Sequence, residues 1–281
     1  MIAASRRQQR LLNLTIFVVL CLGAIIAAAP LLYMISTAFS GDAYVQQFPP
    51  RLLPENPTLS NFETAFNSRN FGRAFLNSTF VALATSALVT ALTTMTAYGF
   101  ARFDFRGKNV IFYTLLTMMM IPNIVLIIPQ FIMATNLGLL NSLPGLVLVY
   151  AAGSIAFNTF LLRGFFENLP RELEESAVID GASHFTIFWR IMLPLAAPAV
   201  STVAVFAFLG AWDEYILALN FLTDEAKRTL PIAIANFRGA HATNWGLVFA
   251  GSLTAVVPTI VLFIVFQRYF IQGLTSGAVR G

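Results

Sequence analysis

The 281-residue chain is 57% hydrophobic and only 11% charged, with 27 phenylalanines and a mean hydropathy of +0.74. A soluble domain carries about a quarter charged residues, so a soluble enzyme of ordinary composition is excluded and a polytopic membrane protein remains. The net charge of +4 is no nucleic-acid footprint, because the basic residues flank apolar segments, and the lone Cys21 excludes an internal disulfide framework or thiolate metal site.

Six apolar segments reach the roughly 20 residues that a spanning helix needs: 12–37, 75–100, 110–135, 143–165, 196–222 and 247–271. Arg6, Arg7 and Arg10 precede the first, and Ala27-Ala28-Ala29 mimics a signal-peptidase site. The apolar run is nevertheless too long for a signal peptide and continues through Leu31, Leu32 and Tyr33, so it reads as a retained anchor. With the N-terminus inside, the cytoplasmic segments hold eleven of the 17 Lys and Arg and the outer segments six. The positive-inside rule then puts both termini in the cytoplasm.

The first outer loop, 40–73, begins with Pro49, Pro50, Pro54 and Pro57 and should be extended there. Ser60-x-x-Glu63 has the pattern of a capping box opening a short interfacial helix with Phe62 and Phe66 on one face. The second span closes on Tyr98, Phe100, Arg102 and Phe103, an aromatic and basic boundary anchor. Pro122 and Pro129 each free a carbonyl one turn back in the third span and kink it. A hinge lining a route and a static kink in a packed bundle both fit.

The stretch 167–194 is polar yet patterned as folded structure. Pro170 with Glu172, Glu174 and Glu175 makes a helix start, where proline's missing N–H is harmless and carboxylates meet the positive end of the dipole. Leu173 and Ala177 share a face, Gly181 supplies the positive φ of a helix end, and Ser183 caps a second helix. Phe185, Phe188, Trp189 and Met192 form an apolar stripe on it, and Pro194 opens the next span. The expectation is a helix–turn–helix on the cytoplasmic surface with the shape of a docking element.

The fifth span contains Asp213 and Glu214, carboxylates within apolar sequence about 28 Å beyond Pro194 at 1.5 Å per residue. Such charges face a cavity or a partner, and adjacent helical residues point about 100° apart, so the two should not share one cavity. Gate or interface contacts are favoured over direct substrate binding. The outer loop 223–246 lacks an element pattern, and Phe237, Arg238 and Trp245 suit a protein or polyol contact there; His241 reads as solvated. After the last span the chain turns small and polar, with Thr275, Gly277 and Arg280. No Walker-type phosphate loop occurs, since Gly107-Lys108 lacks its preceding glycine, and no metal cluster or nucleophilic triad is readable.

Glu175, Gly181 six residues on, and Ile191-x-Leu193-Pro194 resemble the EAA loop of ATP-binding-cassette (ABC) importer permeases in spacing throughout. Ser176 departs from it, standing where the family usually has alanine. The span-five stretch (Asp213 in place of the usual Asn), segment 136–141 and the tail are similar to the carbohydrate, maltose-type branch, so the likeness covers essentially the whole chain. The resemblance implies an all-α fold: one transmembrane domain over 1–281, six spans and a cytoplasmic coupling loop at 167–194. It also implies a non-enzymatic permease in the cell membrane that binds no cofactor itself. Its partners would be a second permease, two copies of an ATPase subunit carrying ATP and magnesium, an outside solute-binding protein and a sugar. By that likeness Glu174, Glu175, Ala177, Asp180, Gly181, Phe185, Phe188, Leu193 and Pro194 meet the ATPase, and Thr275, Gly277 and Arg280 reach the same interface. The residue reading adds Pro122, Pro129, Asp213 and Glu214 as candidates for a gate or route, and Phe237, Arg238 and Trp245 as candidates for contact with the binding protein. A permease for a phosphorylated polyol would need basic groups well inside the spans, which are missing. A secondary transporter would need coupling acids at mid-membrane and usually internal repeats, and would leave the Glu175 loop idle.

Overall fold

In the computed structural model, residues 6–41, 53–54, 56–68, 70–239 and 243–278 are described, and they are helical apart from connecting turns and isolated bridges. The chain divides into two units, Met1–Arg69 with Ile234–Val256 and Asn70–Ala233 with Val257–Gly281. Among the described residues, four helices are long and apolar enough to cross a membrane, and up to six if each of two bent pairs counts as one span.

In the first unit, α1 (Arg6–Ala38) passes through Pro30 without a break, and α2 (Ser60–Asn67) follows the loop. Asn61 fastens the two, its amide donating to the carbonyls of Ala38 (2.9 Å) and Ser40 (2.8 Å), while the rings of Phe39 and Phe62 lie 5.1 Å apart. The expected capping box is absent: Ser60 is already helical, and its N–H is accepted by the Thr58 hydroxyl. The start of the loop, 42–50, lies outside the described residues.

The second unit is built on α3 (Phe71–Arg102), α6 (Leu143–Glu167) and α10 (Ala197–Trp212). Small and β-branched residues, among them Val89, Ala97, Ala151, Ala199, Val203 and Ala207, let these helices approach closely. Ser86 adds a bond from its hydroxyl to the Ala204 carbonyl at 2.7 Å.

The third expected span is not one helix. α4 (Lys108–Met118) stops, Pro122 is extended, and a 3₁₀ turn at Asn123–Leu126 leads into α5 (Ile127–Asn136), bent by 93° from α4. Pro129 kinks nothing, because it lies in the first turn of α5, where no N–H is required. Past α5, Asn141 adopts φ 53° and ties two loops together: its N–H donates to Phe221 O (2.8 Å), its side chain accepts from Asp224 N–H, and its carbonyl accepts from Lys227 Nζ. Ser142 then caps α6.

The fifth span is also interrupted, by a 78° bend between His184–Leu195 and Ala197–Trp212 and by a break after Trp212. Pro194 therefore belongs to the short α9 (Leu193–Leu195) on the loop side of the bend; Pro198 occupies the first turn of the span helix. After the break come α11 (Ile216–Phe221), a turn at Glu225–Lys227, α12 (Leu230–Ala235) and α13 (Trp245–Ala278). The loop expected to be patternless at 223–246 thus carries two short elements and an Arg238–Thr243 bridge. The helix of the last span runs past its expected end at 271 and continues to Ala278.

Candidate coupling surface and broken-span residues

α7 (Glu172–Ile179) begins with its carboxylates in the first turn and ends in a Schellman arrangement. The Gly181 N–H donates to Val178 O (3.0 Å), the Ala182 N–H to Ala177 O (2.9 Å), and Gly181 takes φ +81°. Ser183 caps α8 (His184–Ile187) through the Thr186 N–H at 3.2 Å, and a wide π-type turn over Phe188–Met192 carries the chain to α9. The helix–turn–helix is therefore local chemistry: carboxylates, a glycine and a serine each at the position that needs them.

The tertiary packing divides its side chains into two sets. Ala177 (8% exposed) and Phe188 (6%), together with Ile187 and Met192, are part of the core with Tyr98, Leu162 and Phe166. Of these, Ala177 and Phe188 were expected at the ATPase interface; here they pack within the chain's own core. Glu174 is likewise engaged, since its Oε1 lies 2.7 Å from Arg102 Nε, with side-chain exposures of 18% and 3%. Arg102 also donates to the Leu169 carbonyl at 2.8 Å. The outward set is Glu175, Val178, Ile179 (85% exposed), Asp180, Phe185 (68%) and Trp189, with Pro194 exposed and Leu193 half-buried. Arg102, Arg171, Glu174, Glu175, Val178, Ile179 and His184 line a cleft of about 350 Å³ on this end of the unit. Among the described residues no ion pair involves Glu175.

At the other end, Asp213 and Glu214 stand in the break between α10 and α11 and not on a helix, so angular helix spacing does not separate them. Glu214 is bound from three sides: the N–H groups of Leu217 (2.7 Å) and Ala218 (2.9 Å) donate to its carboxylate, and so does the Tyr150 hydroxyl from α6. It is the cap of α11 and a tie to α6. Asp213 is exposed. Arg238 is exposed as well, Phe237 half-buried, and Trp245 opens α13 and leans on Phe249 with ring centroids 5.6 Å apart. Thr275 and Gly277 lie on α13, and Arg280 falls outside the described residues, as does His241.

Two residues escaped the sequence reading. Arg102 passed as a membrane-boundary anchor, although an arginine ending a span beside an acidic loop is a candidate ion-pair partner. Tyr150 was one aromatic among many, yet a phenol inside an apolar helix needs a hydrogen-bond partner.

The family model for the binding-protein-dependent transport system inner membrane component matches residues 90–276, which contain the loop, its Arg102 anchor and the span-five break. The chain belongs to this family. The permease is 35% identical over 263 residues to the diacetylchitobiose uptake system permease protein NgcG of Streptomyces coelicolor, covering 93% of this chain and 87% of that one. It is 32% identical over 278 residues to the trehalose/maltose transport system permease protein MalG of Thermococcus litoralis, covering 98% and 99%. Its fold is similar to a chain in the crystal structure of a bacterial ABC transporter that imports the acidic polysaccharide alginate, with a TM-score of 0.82 and 25% identity over 96% of this chain and 100% of that one. A chain from the complex of an alginate ABC transporter with a pentasaccharide-bound periplasmic protein shares the fold at a TM-score of 0.69, with 15% identity over 92% and 93% of the two chains. The permease is thus a multi-pass membrane component of a transport system that works with a binding protein.

Proposed function

We propose that this permease is one of two membrane subunits of an ATP-driven sugar importer, and that its 167–194 loop receives a separate ATPase subunit on the cytoplasmic side. The observation that carries the reading is the division of the loop. One face is spent on the chain's own core, while Glu175, Val178, Ile179, Phe185 and Trp189 are left outward, acidic and apolar together. A face of that kind suits a protein cleft that offers a basic group and an apolar seat. The substrate class rests on the saccharides named for the relatives, which match over nearly the full length of both chains. Both termini lie in the cytoplasm in this reading, and Arg238 lies outside, toward a solute-binding protein.

Closure of the ATPase pair would move the loop as a rigid body and switch the spans between inward- and outward-open states. Asp213 and Glu214 then serve the gate rather than the sugar, with the ATP and magnesium held by the partner. The test is purification of a tagged permease from its native host, identification of what is retained, and ATPase assay of that complex with a panel of mono- and oligosaccharides. Stimulation by one saccharide through a co-purified ATPase is expected. A complex without an ATPase subunit, or one stimulated only by a phosphorylated polyol, would overturn the reading.

A further inference from the structure

Span α3 is not contiguous with the 167–194 loop; the loop is strung between α6 and α10. Yet the end of α3 holds the loop along its length. Arg102 reaches the entry of the loop through the Leu169 carbonyl at 2.8 Å and the first helix through Glu174 at 2.7 Å. Phe103 meets the first residue of the second helix, its ring 5.3 Å from that of His184. Tyr98 meets the π-type turn through Phe188, with ring centroids 5.0 Å apart. Arg102 Nε and Glu174 Oε1 are both buried, and the 2.7 Å approach between them is a charge contact that the Tyr98 phenol also faces.

We propose that Arg102 and Glu174 are the positioning pair through which a displacement of the coupling loop is delivered to α3, making that span the receiver of the stroke. The physical argument is stiffness. The loop's chain connections run through a turn at Asn168–Pro170 on one side and through a π-type turn and a 78° bend on the other. Both interrupt regular helix, and breaks at element ends are where hinges take up changes in φ and ψ. A buried charge pair, by contrast, resists separation, because each half left alone would be an uncompensated charge in a poorly solvated place. α3 in turn lies against both α6 and α10, so a push at its end reaches the whole three-helix core. In this proposal the outward residues, Glu175 and the apolar set, receive the partner, while Arg102 and Glu174, at the less exposed floor of the same cleft, act through α3.

The inference rests on the reading that an ATPase docks on this loop, and the experiment keeps the two apart. Arg102→Met, Glu174→Gln and the reversed pair Arg102→Glu with Glu174→Arg are purified beside the wild type in lipid nanodiscs and proteoliposomes. Three quantities are read: ATPase subunit retained, sugar-stimulated ATP hydrolysis, and ATP hydrolysed per sugar moved. In the single variants we expect the ATPase to remain bound and basal hydrolysis to continue. The ATP consumed per sugar should rise at least tenfold, and the reversed pair should recover a substantial part of the loss. Unchanged coupling in Arg102→Met would overturn the proposal, as would parallel loss of ATPase retention and uptake with no recovery in the reversed pair, which would make the pair a folding element only. A wild type that retains no ATPase would overturn the docking reading instead.

Discussion

Gly181 stands at φ +81° in the turn between α7 and α8, a region that costs a residue with a side chain about 1–2 kcal/mol. Nothing lies near its added Cβ, so the penalty of Gly181→Val is backbone strain, released by re-aiming α8. We expect this variant to insert and purify normally but to lose most uptake, whereas Glu175→Ala, outward and unpaired, weakens retention of the ATPase with the fold intact. Uptake and ATPase retention on the tagged permease check both. Gly145 is constrained differently: a Cβ there would lie 2.1 Å from the Leu139 carbonyl oxygen. Gly145→Ala should cost about 1–3 kcal/mol as overpacking, read as a lowered melting temperature of the purified protein. Glu214 accepts two backbone N–H groups and a phenol, so Glu214→Ala orphans those donors at about 1–3 kcal/mol each. Glu214→Gln keeps an acceptor and should lose much less; equal loss in the two, by thermal melt and turnover, would show that the charge rather than the cap matters.

The two prolines of the third span have unequal duties at the scale of the element. Pro122 sits extended, at φ −60° and ψ 130°, where α4 has ended, while Pro129 lies in the first turn of α5. Pro129→Ala should therefore change melting and transport little, within about 0.5 kcal/mol. Pro122→Ala releases the constraint at the 93° break and should alter turnover. The reverse order would show that α5 is the hinge. A loop shortened between the Arg238–Thr243 bridge partners should lower sugar-stimulated ATPase while sparing basal activity, if the exposed Arg238 meets the binding protein. Unchanged stimulation would remove that contact.

The charge count of the whole chain makes a topological prediction, independent of substrate. In a background with Cys21 replaced by serine, cysteine at Arg238 should react with a membrane-impermeant maleimide from outside intact cells. Cysteine at Phe185 should react only after permeabilisation. Both sites are exposed, so the difference reads sidedness rather than burial, and labelling of both from outside would reverse the orientation.

Composition and spacing determined the membrane class, the apolar segments and the helix–turn–helix at 172–192, because hydropathy, end caps and a glycine turn are local properties of consecutive residues. Family membership was legible for the same reason, since the EAA spacing sits in one unbroken stretch. Where α4 and α10 stop was not legible: an apolar run reads the same whether straight or bent by 93°, and only neighbours able to satisfy the freed backbone decide it. The division of the loop into an inward and an outward face was likewise settled by tertiary contacts. Phe188 and Phe185 are chemically alike and three residues apart, yet one packs against Tyr98 and Phe166 while the other stays exposed. Glu174 and Glu175 are neighbours of identical chemistry, and what separates them is Arg102, brought from 72 positions away by the packing of α3 against the loop.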